Sequence, residues 1–302
     1  SRHKGLDASG VGRFKGGRVR RSGARTVQAR GAAVQCSAFC PIGIFDSGVG
    51  GLTVARAVMD RLPGEHIVYF GDTARVPYGV KSAETVARYA AQITTFLLAR
   101  RVKLLIVACN TMAAVALDTI TGLSPVPVLE VIDAGARSAL AASHTKRIGI
   151  IATPSTIASQ AYVRALRRLG GPEVYTAARA CPLFVPLVEE GWLEHPATRL
   201  VAHEYLDPLL AEQVDTLILG CTHYPLLRPL LAEVAGPAVH LQDSATAVAE
   251  RAAAILAELG LANTSGEPAR YDYHVTDMPH RFSEIGRLFL GRPMDRVHLE
   301  KL

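Results

Sequence analysis

Apolar positions along residues 41–290 follow two periods, and the two periods alternate. Short apolar runs bounded by turn residues predict strands over residues 41–45, 66–70 and 104–108. Apolar residues that recur every three or four positions predict helices, most strongly over residues 82–101. Alternating strands and helices are typical of an α/β fold whose parallel sheets carry helices on both faces.

The pattern of strands and helices restarts near residue 147. The sequence GIFDS at residues 43–47 is similar to GIIAT at 149–153, and LLIVACNT at 104–111 is similar to TLILGCTH at 216–223. Each half therefore places one cysteine, Cys109 or Cys221, at the carboxyl end of a buried strand, where open α/β sheets bind ligands. We predict two pseudo-symmetric parallel-sheet α/β lobes with the active site in the cleft between them.

The repeat also predicts how the chain divides into domains. The first lobe is predicted to comprise residues 41–134 together with 243–302, and the second lobe residues 135–242. The first lobe is discontinuous because a strand predicted at 271–275 and a helix predicted at 281–290 are expected to return to it.

Residues 1–40 differ from the rest of the chain in composition. They contain nine of the Lys and Arg residues and a single acid, Asp7. The positive formal net charge of the chain, +6, therefore comes from this segment and not from the body. Rich in Gly, Ser, Ala and Arg, the segment is predicted to be a disordered basic tail. A mis-called start or a leader is the favoured interpretation. The alternatives are a transit peptide and an arm that binds nucleic acid weakly through phosphate contacts.

The remaining composition indicates a cytoplasmic protein. No apolar run reaches the roughly 18 residues that a membrane span needs, and no secretory signal is recognisable. The five cysteines are odd in number and widely spaced in the body, which is unlike a disulfide-stapled secreted domain. The pair Cys36 and Cys40 is interpreted as incidental.

Two matched cysteines can perform a specific reaction. Inverting the α-carbon of an amino acid requires one group that removes a proton from one face and another that delivers a proton to the opposite face. Cysteine serves both roles because its pKa is easily tuned, for example by a helix N-terminus. A free cysteine is more often a buried inert residue, but Cys109 and Cys221 share a context of polar residues directly after a strand. Cys181 lacks that context and is interpreted as structural.

Other polar residues near the strand ends have two interpretations each. Asp46 is either a helix N-cap or a carboxylate that assists the first cysteine, and His223 is either a core histidine or a proton partner of the second. Residues 76–79 form either a plain turn or a clamp for a substrate carboxylate. No pair among Asp46, Cys109, Cys221 and His223 has the C-x-x-C spacing of zinc sites, so no metal is predicted.

Five stretches of sequence carry a resemblance to a known family. They are GIFDSGVGGL at 43–52, GDTARVPYG at 71–79, ACNT at 108–111, CPLFVPLVE at 181–189 and LGCTHYPLL at 219–227. On these motifs the chain resembles the bacterial glutamate racemases of the aspartate/glutamate racemase family, from about residue 41 to 290. The basic tail departs from that pattern.

The resemblance implies an isomerase that interconverts L- and D-glutamate without a cofactor and supplies D-glutamate for peptidoglycan. It implies Cys109 and Cys221 as the acid/base pair, with Asp46 and His223 as their partners. The residues it implies around the substrate are Asp46, Ser47, Tyr78, Gly79, Asn110, Thr111, Thr153, Thr156, Glu189, Thr222 and His223. A homodimer is expected. The alternatives are aspartate racemase or a related amino-acid racemase, and, from another class, a nucleic-acid-associated protein acting through the tail.

Overall fold

The computed structural model describes residues 36–302. The predictions of disorder and of nucleic-acid contact for the basic tail therefore lie, apart from residues 36–40, outside the described residues. In the part described, no helix is long and apolar enough to cross a membrane.

The strands of residues 36–302 pair in parallel throughout. They are β1 Ile42–Asp46, β2 Ile67–Gly71, β3 Leu104–Val107, β4 Val128–Glu130, β5 Arg147–Ala152, β6 Tyr175–Ala180, β7 Thr216–Gly220, β8 His240–Gln242, β9 Tyr271–Val275 and β10 Val297–Leu299. The central strands β1, β3 and β7 are buried along their whole length, as expected for parallel strands covered by helices on both faces.

The helices lie between these strands. They are α1 Leu52–Arg61, α2 Ala83–Ala99, α3 Asn110–Val115, α4 Leu117–Leu123, α5 Val131–Ala142, α6 Pro154–Ser159, α7 Ala161–Gly170, α8 Phe184–Glu189, α9 Pro196–Ala211, α10 Arg228–Ala235, α11 Ala245–Glu258 and α12 Pro279–Leu290. In α2 the side chain of Ser82 caps the first turn by accepting a hydrogen bond from the Thr85 N–H, and an apolar stripe at helical spacing faces the core.

Four strands of the larger sheet follow the same order as the four strands of the smaller sheet. One has the order β10-β9-β2-β1-β3-β4 and the other β6-β5-β7-β8. The repeat in the sequence corresponds to this match, since Gly43 of β1 pairs with Leu105 of β3 and Gly149 of β5 pairs with Leu217 of β7. The predicted fold class, two parallel-sheet α/β lobes, is confirmed. The domain boundaries at residues 134–135 and 242–243 stay a prediction.

The C-terminal segment extends the first sheet. Strand β9 pairs with β2, and β10 pairs with β9. The short edge strands β8 and β10 have no apolar period and were not predicted from the sequence. Helix α9 begins at Pro196, because His195 caps it through Nδ1 and proline favours the first helical position.

A buried ion pair fixes the end of the first sheet opposite the strand carboxyl ends. Lys103 has no exposed side-chain surface, and its Nζ lies 2.5 Å from Oε2 of Glu65. The same ammonium donates to the carbonyl oxygens of Ala38, at 2.5 Å, and Leu261, at 2.8 Å. The network ties the residues before β1 and the loop after α11 to the start of β3.

Candidate active site

A cavity of about 340 Å³ lies between the two sheets, at the carboxyl ends of their strands. Both lobes contribute to its wall. The lining residues are Ser47, Gly48, Val76, Pro77, Tyr78, Gly79, Val80, Cys109, Asn110, Thr111, Thr153, Pro154, Pro182, Val185, Pro186, Glu189, Cys221, Thr222 and His223. The cavity therefore brings together nearly all of the predicted site residues. Asp46 and Thr156 are not part of this lining and lie behind it.

Cys109 lies between β3 and α3, at the first residue before the helix. Its thiol is buried and points toward the Ser47 hydroxyl, with 3.7 Å between Sγ and Oγ. Burial and the nearby charge of Asp46 raise the pKa of Cys109 to about 12, although hydrogen bonds from the backbone of Met112 and from Ser47 oppose the shift. At neutral pH this sulfur holds its proton.

Asp46 ends β1 and is completely buried. Its Oδ2 accepts a hydrogen bond from the Gly48 N–H at 2.9 Å, whereas Oδ1 has no partner among the described residues. The N-cap interpretation of Asp46 is wrong, because α1 begins after Gly51 and no side chain caps it. The carboxylate instead lies behind Cys109 and acts on it through charge.

Cys221 follows β7 and has a different neighbour. Its Sγ lies 3.8 Å from Nδ1 of His223, and Nε2 of His223 lies 2.9 Å from Oε1 of Glu189. Burial opposes protonation of His223, but the hydrogen bonds to Cys221 and Glu189 outweigh it and raise its pKa to about 10. Cys221 therefore lies beside an imidazole that favours its cationic form, whereas Cys109 lies near the carboxylate of Asp46, so the two cysteines have opposite electrostatic surroundings.

Three threonine hydroxyls join the lobes beside the cavity. Oγ1 of Thr111, from the first lobe, lies 3.0 Å from Oγ1 of Thr153 and 3.4 Å from that of Thr156. A Cβ added to Gly79 would lie 2.7 Å from Cβ of Thr153. The walls of the cleft therefore touch at this point, and the contact requires glycine at position 79.

Tyr78 is held by a residue that the sequence reasoning missed. Its hydroxyl donates to Oδ2 of Asp72, a fully buried carboxylate that also accepts from Thr276 Oγ1 at 2.8 Å and pairs with Arg75. Burial and the charge of Asp72 raise the pKa of Tyr78 far above its ordinary value. The signal was present, because Asp72 follows β2 directly, at the same edge of the sheet as Asp46.

The rest of the lining carries no polar side chain. It consists of Val76 and Pro77, which belong to the turn noted at residues 76–79, and of Gly48, Val80, Pro154, Pro182, Val185 and Pro186, which were not predicted as site residues. Such a wall excludes water and strengthens electrostatic interactions inside the cavity. None of the lining residues in the described part of the chain is Arg or Lys, so an anionic ligand has only neutral donors and His223 to bind it. No cluster of three or more potential metal ligands occurs among the described residues.

Comparison with known proteins identifies the family to which the chain belongs. The sequence profile of the Asp/Glu/hydantoin racemase family matches residues 52–252, and the chain belongs to that family. The chain is 62% identical over 262 residues to the glutamate racemase of Syntrophus aciditrophicus, covering 87% of this chain and 97% of that protein. The predicted resemblance to bacterial glutamate racemases is thereby confirmed, and the enzyme is an isomerase, an amino-acid racemase.

Solved structures agree with this assignment. The fold is similar to the glutamate racemase of Francisella tularensis in complex with D-glutamate, with a TM-score of 0.83, 38% identity, and coverage of 87% of this chain and 98% of that one. It is also similar to the glutamate racemase of Thermus thermophilus in complex with β-chloro-D-alanine, with a TM-score of 0.79, 43% identity, and coverage of 88% and 98%.

Proposed function

We propose that the chain is a glutamate racemase that interconverts L- and D-glutamate with Cys109 and Cys221 as its two acid/base groups. The observation that carries the proposal is that both sulfurs line one cavity from equivalent strand ends of two similar sheets. The relative bound to D-glutamate supports the choice of substrate.

The electrostatics of the two cysteines suggest how the reaction starts. In the L-to-D direction, the Cys221 thiolate, stabilised by protonated His223, removes the α-proton of L-glutamate. The Cys109 thiol then delivers its proton to the opposite face of the α-carbon. In the reverse direction the roles exchange, because both directions share one transition state. Asp46 contributes by keeping the pKa of Cys109 high, which makes its thiolate a strong base once formed.

Neutral donors would bind the substrate carboxylates. The hydroxyls of Ser47, Thr111 and Thr222 and the amide of Asn110 line the cavity. Negative charge moves onto the α-carboxylate as the α-proton leaves, and preoriented donors in a cavity with an apolar wall stabilise that charge more than water does. Asp46, Thr156 and Glu189 act on neighbouring groups in this proposal, and the other predicted residues contact the substrate.

Racemisation followed by circular dichroism tests the proposal. We expect both enantiomers of glutamate to racemise and aspartate to react far more slowly; faster turnover of aspartate would favour the sibling activity. Cys109→Ser and Cys221→Ser should each abolish racemisation nearly completely. Cys181→Ser is the matched control, because Cys181 is equally buried but does not line the cavity. Full activity of either of the first two variants would contradict the two-cysteine mechanism.

The cellular role follows from the product. D-glutamate would serve peptidoglycan synthesis in the cytoplasm, so the gene should restore growth of a bacterium that requires added D-glutamate. Restoration by wild type but not by Cys109→Ser would support this role, and growth supported equally by both would contradict it. The homodimer stays a prediction, which sedimentation of the full chain can test.

A further inference from the structure

Tyr162 is a buried side chain outside the cavity that touches the site from the second lobe. It lies near the start of α7 with only 2% of its surface exposed. Its hydroxyl donates a hydrogen bond of 2.6 Å to Oδ1 of Asn110. Asn110 belongs to the first lobe, follows Cys109 directly and lines the cavity. The bond therefore crosses between the lobes next to one of the two cysteines.

The ring of Tyr162 contacts the other cysteine-bearing strand. A Cβ added to Gly220, the last residue of β7, would lie 3.1 Å from Cε2 of Tyr162. Gly220 directly precedes Cys221. One side chain thus contacts the residue after Cys109 through its hydroxyl and the residue before Cys221 through its ring.

The hydrogen bond also determines which end of the Asn110 amide is free. An amide has an acceptor end and a donor end. The acceptor Oδ1 is occupied by Tyr162, whereas Nδ2 has no hydrogen-bond partner among the described residues and is not among their fully buried polar atoms. Because Asn110 lines a cavity without Arg or Lys among the residues described, the direction of this neutral donor decides whether it attracts or repels a carboxylate.

We propose that Tyr162 is a positioning residue: it holds Oδ1 of Asn110 so that Nδ2 faces the cavity and donates to a substrate carboxylate. The inference rests on the proposed function only in requiring an amino-acid substrate that enters this cavity. Removing the Tyr162 hydroxyl frees the amide to rotate, and part of the population then presents its carbonyl oxygen to the carboxylate. Substrate binding weakens while the cysteines remain in place.

Steady-state kinetics of Tyr162→Phe, Asn110→Ala and the double variant test the inference. We expect Tyr162→Phe to raise KM about tenfold for both enantiomers, which is the loss of one oriented hydrogen bond, with kcat within about twofold. The double variant should be no worse than Asn110→Ala alone, because the two residues act through one contact. Tyr175→Phe is the control. It removes a hydroxyl bonded to Glu212 in the same lobe and should leave KM unchanged.

A second variant keeps the test independent of how Tyr162→Phe folds. Asn110→Asp retains an acceptor for Tyr162 but replaces the donor with an anionic oxygen, so KM should rise by more than about 100-fold. A KM within twofold of wild type in Asn110→Asp, or additive effects in the double variant, would overturn the inference. Wild type is measured in parallel. If it fails on glutamate, the proposed function fails, and the same series is run with the amino acid that it does racemise.

Discussion

Gly79→Ala probes the contact between the two walls of the cleft. The new Cβ would lie 2.7 Å from Cβ and 2.9 Å from Cγ2 of Thr153. Carbon atoms in ordinary contact are about 3.5–4.0 Å apart, so the walls must separate by about 1 Å. Thr153 cannot give way alone, because its hydroxyl caps α6 and bonds to Thr111 and Thr156.

The expected loss is in catalysis rather than in folding. A displacement of about 1 Å between reacting groups can cost about 100-fold in rate, which corresponds to about 2.7 kcal/mol in the free energy of activation. We therefore expect kcat/KM for both enantiomers, measured by circular dichroism, to fall by about 10- to 100-fold. The free energy of unfolding in urea should change by less than about 1 kcal/mol, because the contact lies at the cleft and not in either core.

Gly122→Ala is the matched control, since a Cβ at Gly122 meets no heavy atom within 4 Å. It lies in α4 and should raise the free energy of unfolding by up to about 1 kcal/mol with activity unchanged. If Gly79→Ala retained kcat/KM within twofold of wild type, close contact between Gly79 and Thr153 would not set the geometry of the site.

Three further predictions concern charge and proton transfer. Lys103→Met leaves Glu65 buried without its partner and should lower the free energy of unfolding by about 3–5 kcal/mol in urea. Lys146→Met, which breaks an exposed pair with Glu173, should leave the free energy of unfolding nearly unchanged. Glu189→Gln removes a carboxylate that raises the pKa of His223. The imidazolium is then lost at lower pH, so the alkaline limb of the kcat/KM profile for L-glutamate should move down from near pH 10. With β-chloro analogues of the substrate, HCl elimination needs only the abstracting base, so Cys109→Ser should still react with the L form and Cys221→Ser with the D form.

Each of these predictions has a result that contradicts it. Equal destabilisation by Lys103→Met and Lys146→Met would mean that the buried network contributes nothing beyond an exposed pair. An alkaline limb that moves as far in Glu190→Gln as in Glu189→Gln would dissociate the effect from His223. Elimination from both enantiomers by both serine variants would show that the two sulfurs do not serve separate faces.

The fold was predictable because its signals are local. Apolar runs of strand length, each followed by a polar turn, predicted β1, β3, β5 and β7, and the likeness of the two halves predicted two related parallel sheets. The edge strands β8 and β10 were missed because neither lies in an apolar run of strand length. Their conformation comes from the neighbouring strand.

The candidate site was predictable as a set of positions but not as a set of orientations. Cys109 and Cys221 followed from their place at strand ends. Asp46 and Thr156 lie behind the cavity wall because of the direction in which each side chain points from its strand or helix. The hydrogen bond between Tyr162 and Asn110 joins two residues that are 52 positions apart in the chain, and it depends on how the two lobes pack. Neither fact has a signal in the linear sequence.

Racemisation of L-glutamate in deuterated water tests the central claim most directly, because it reports substrate and mechanism in one experiment. The deuterium content of both enantiomers is measured by mass spectrometry early in the reaction, before the reverse reaction contributes. Two thiols on opposite faces predict that D-glutamate carries deuterium at the α-carbon while the remaining L-glutamate keeps its hydrogen. Deuterium appearing equally in both enantiomers, or D-glutamate that retains the original hydrogen, would indicate a single base and contradict the account.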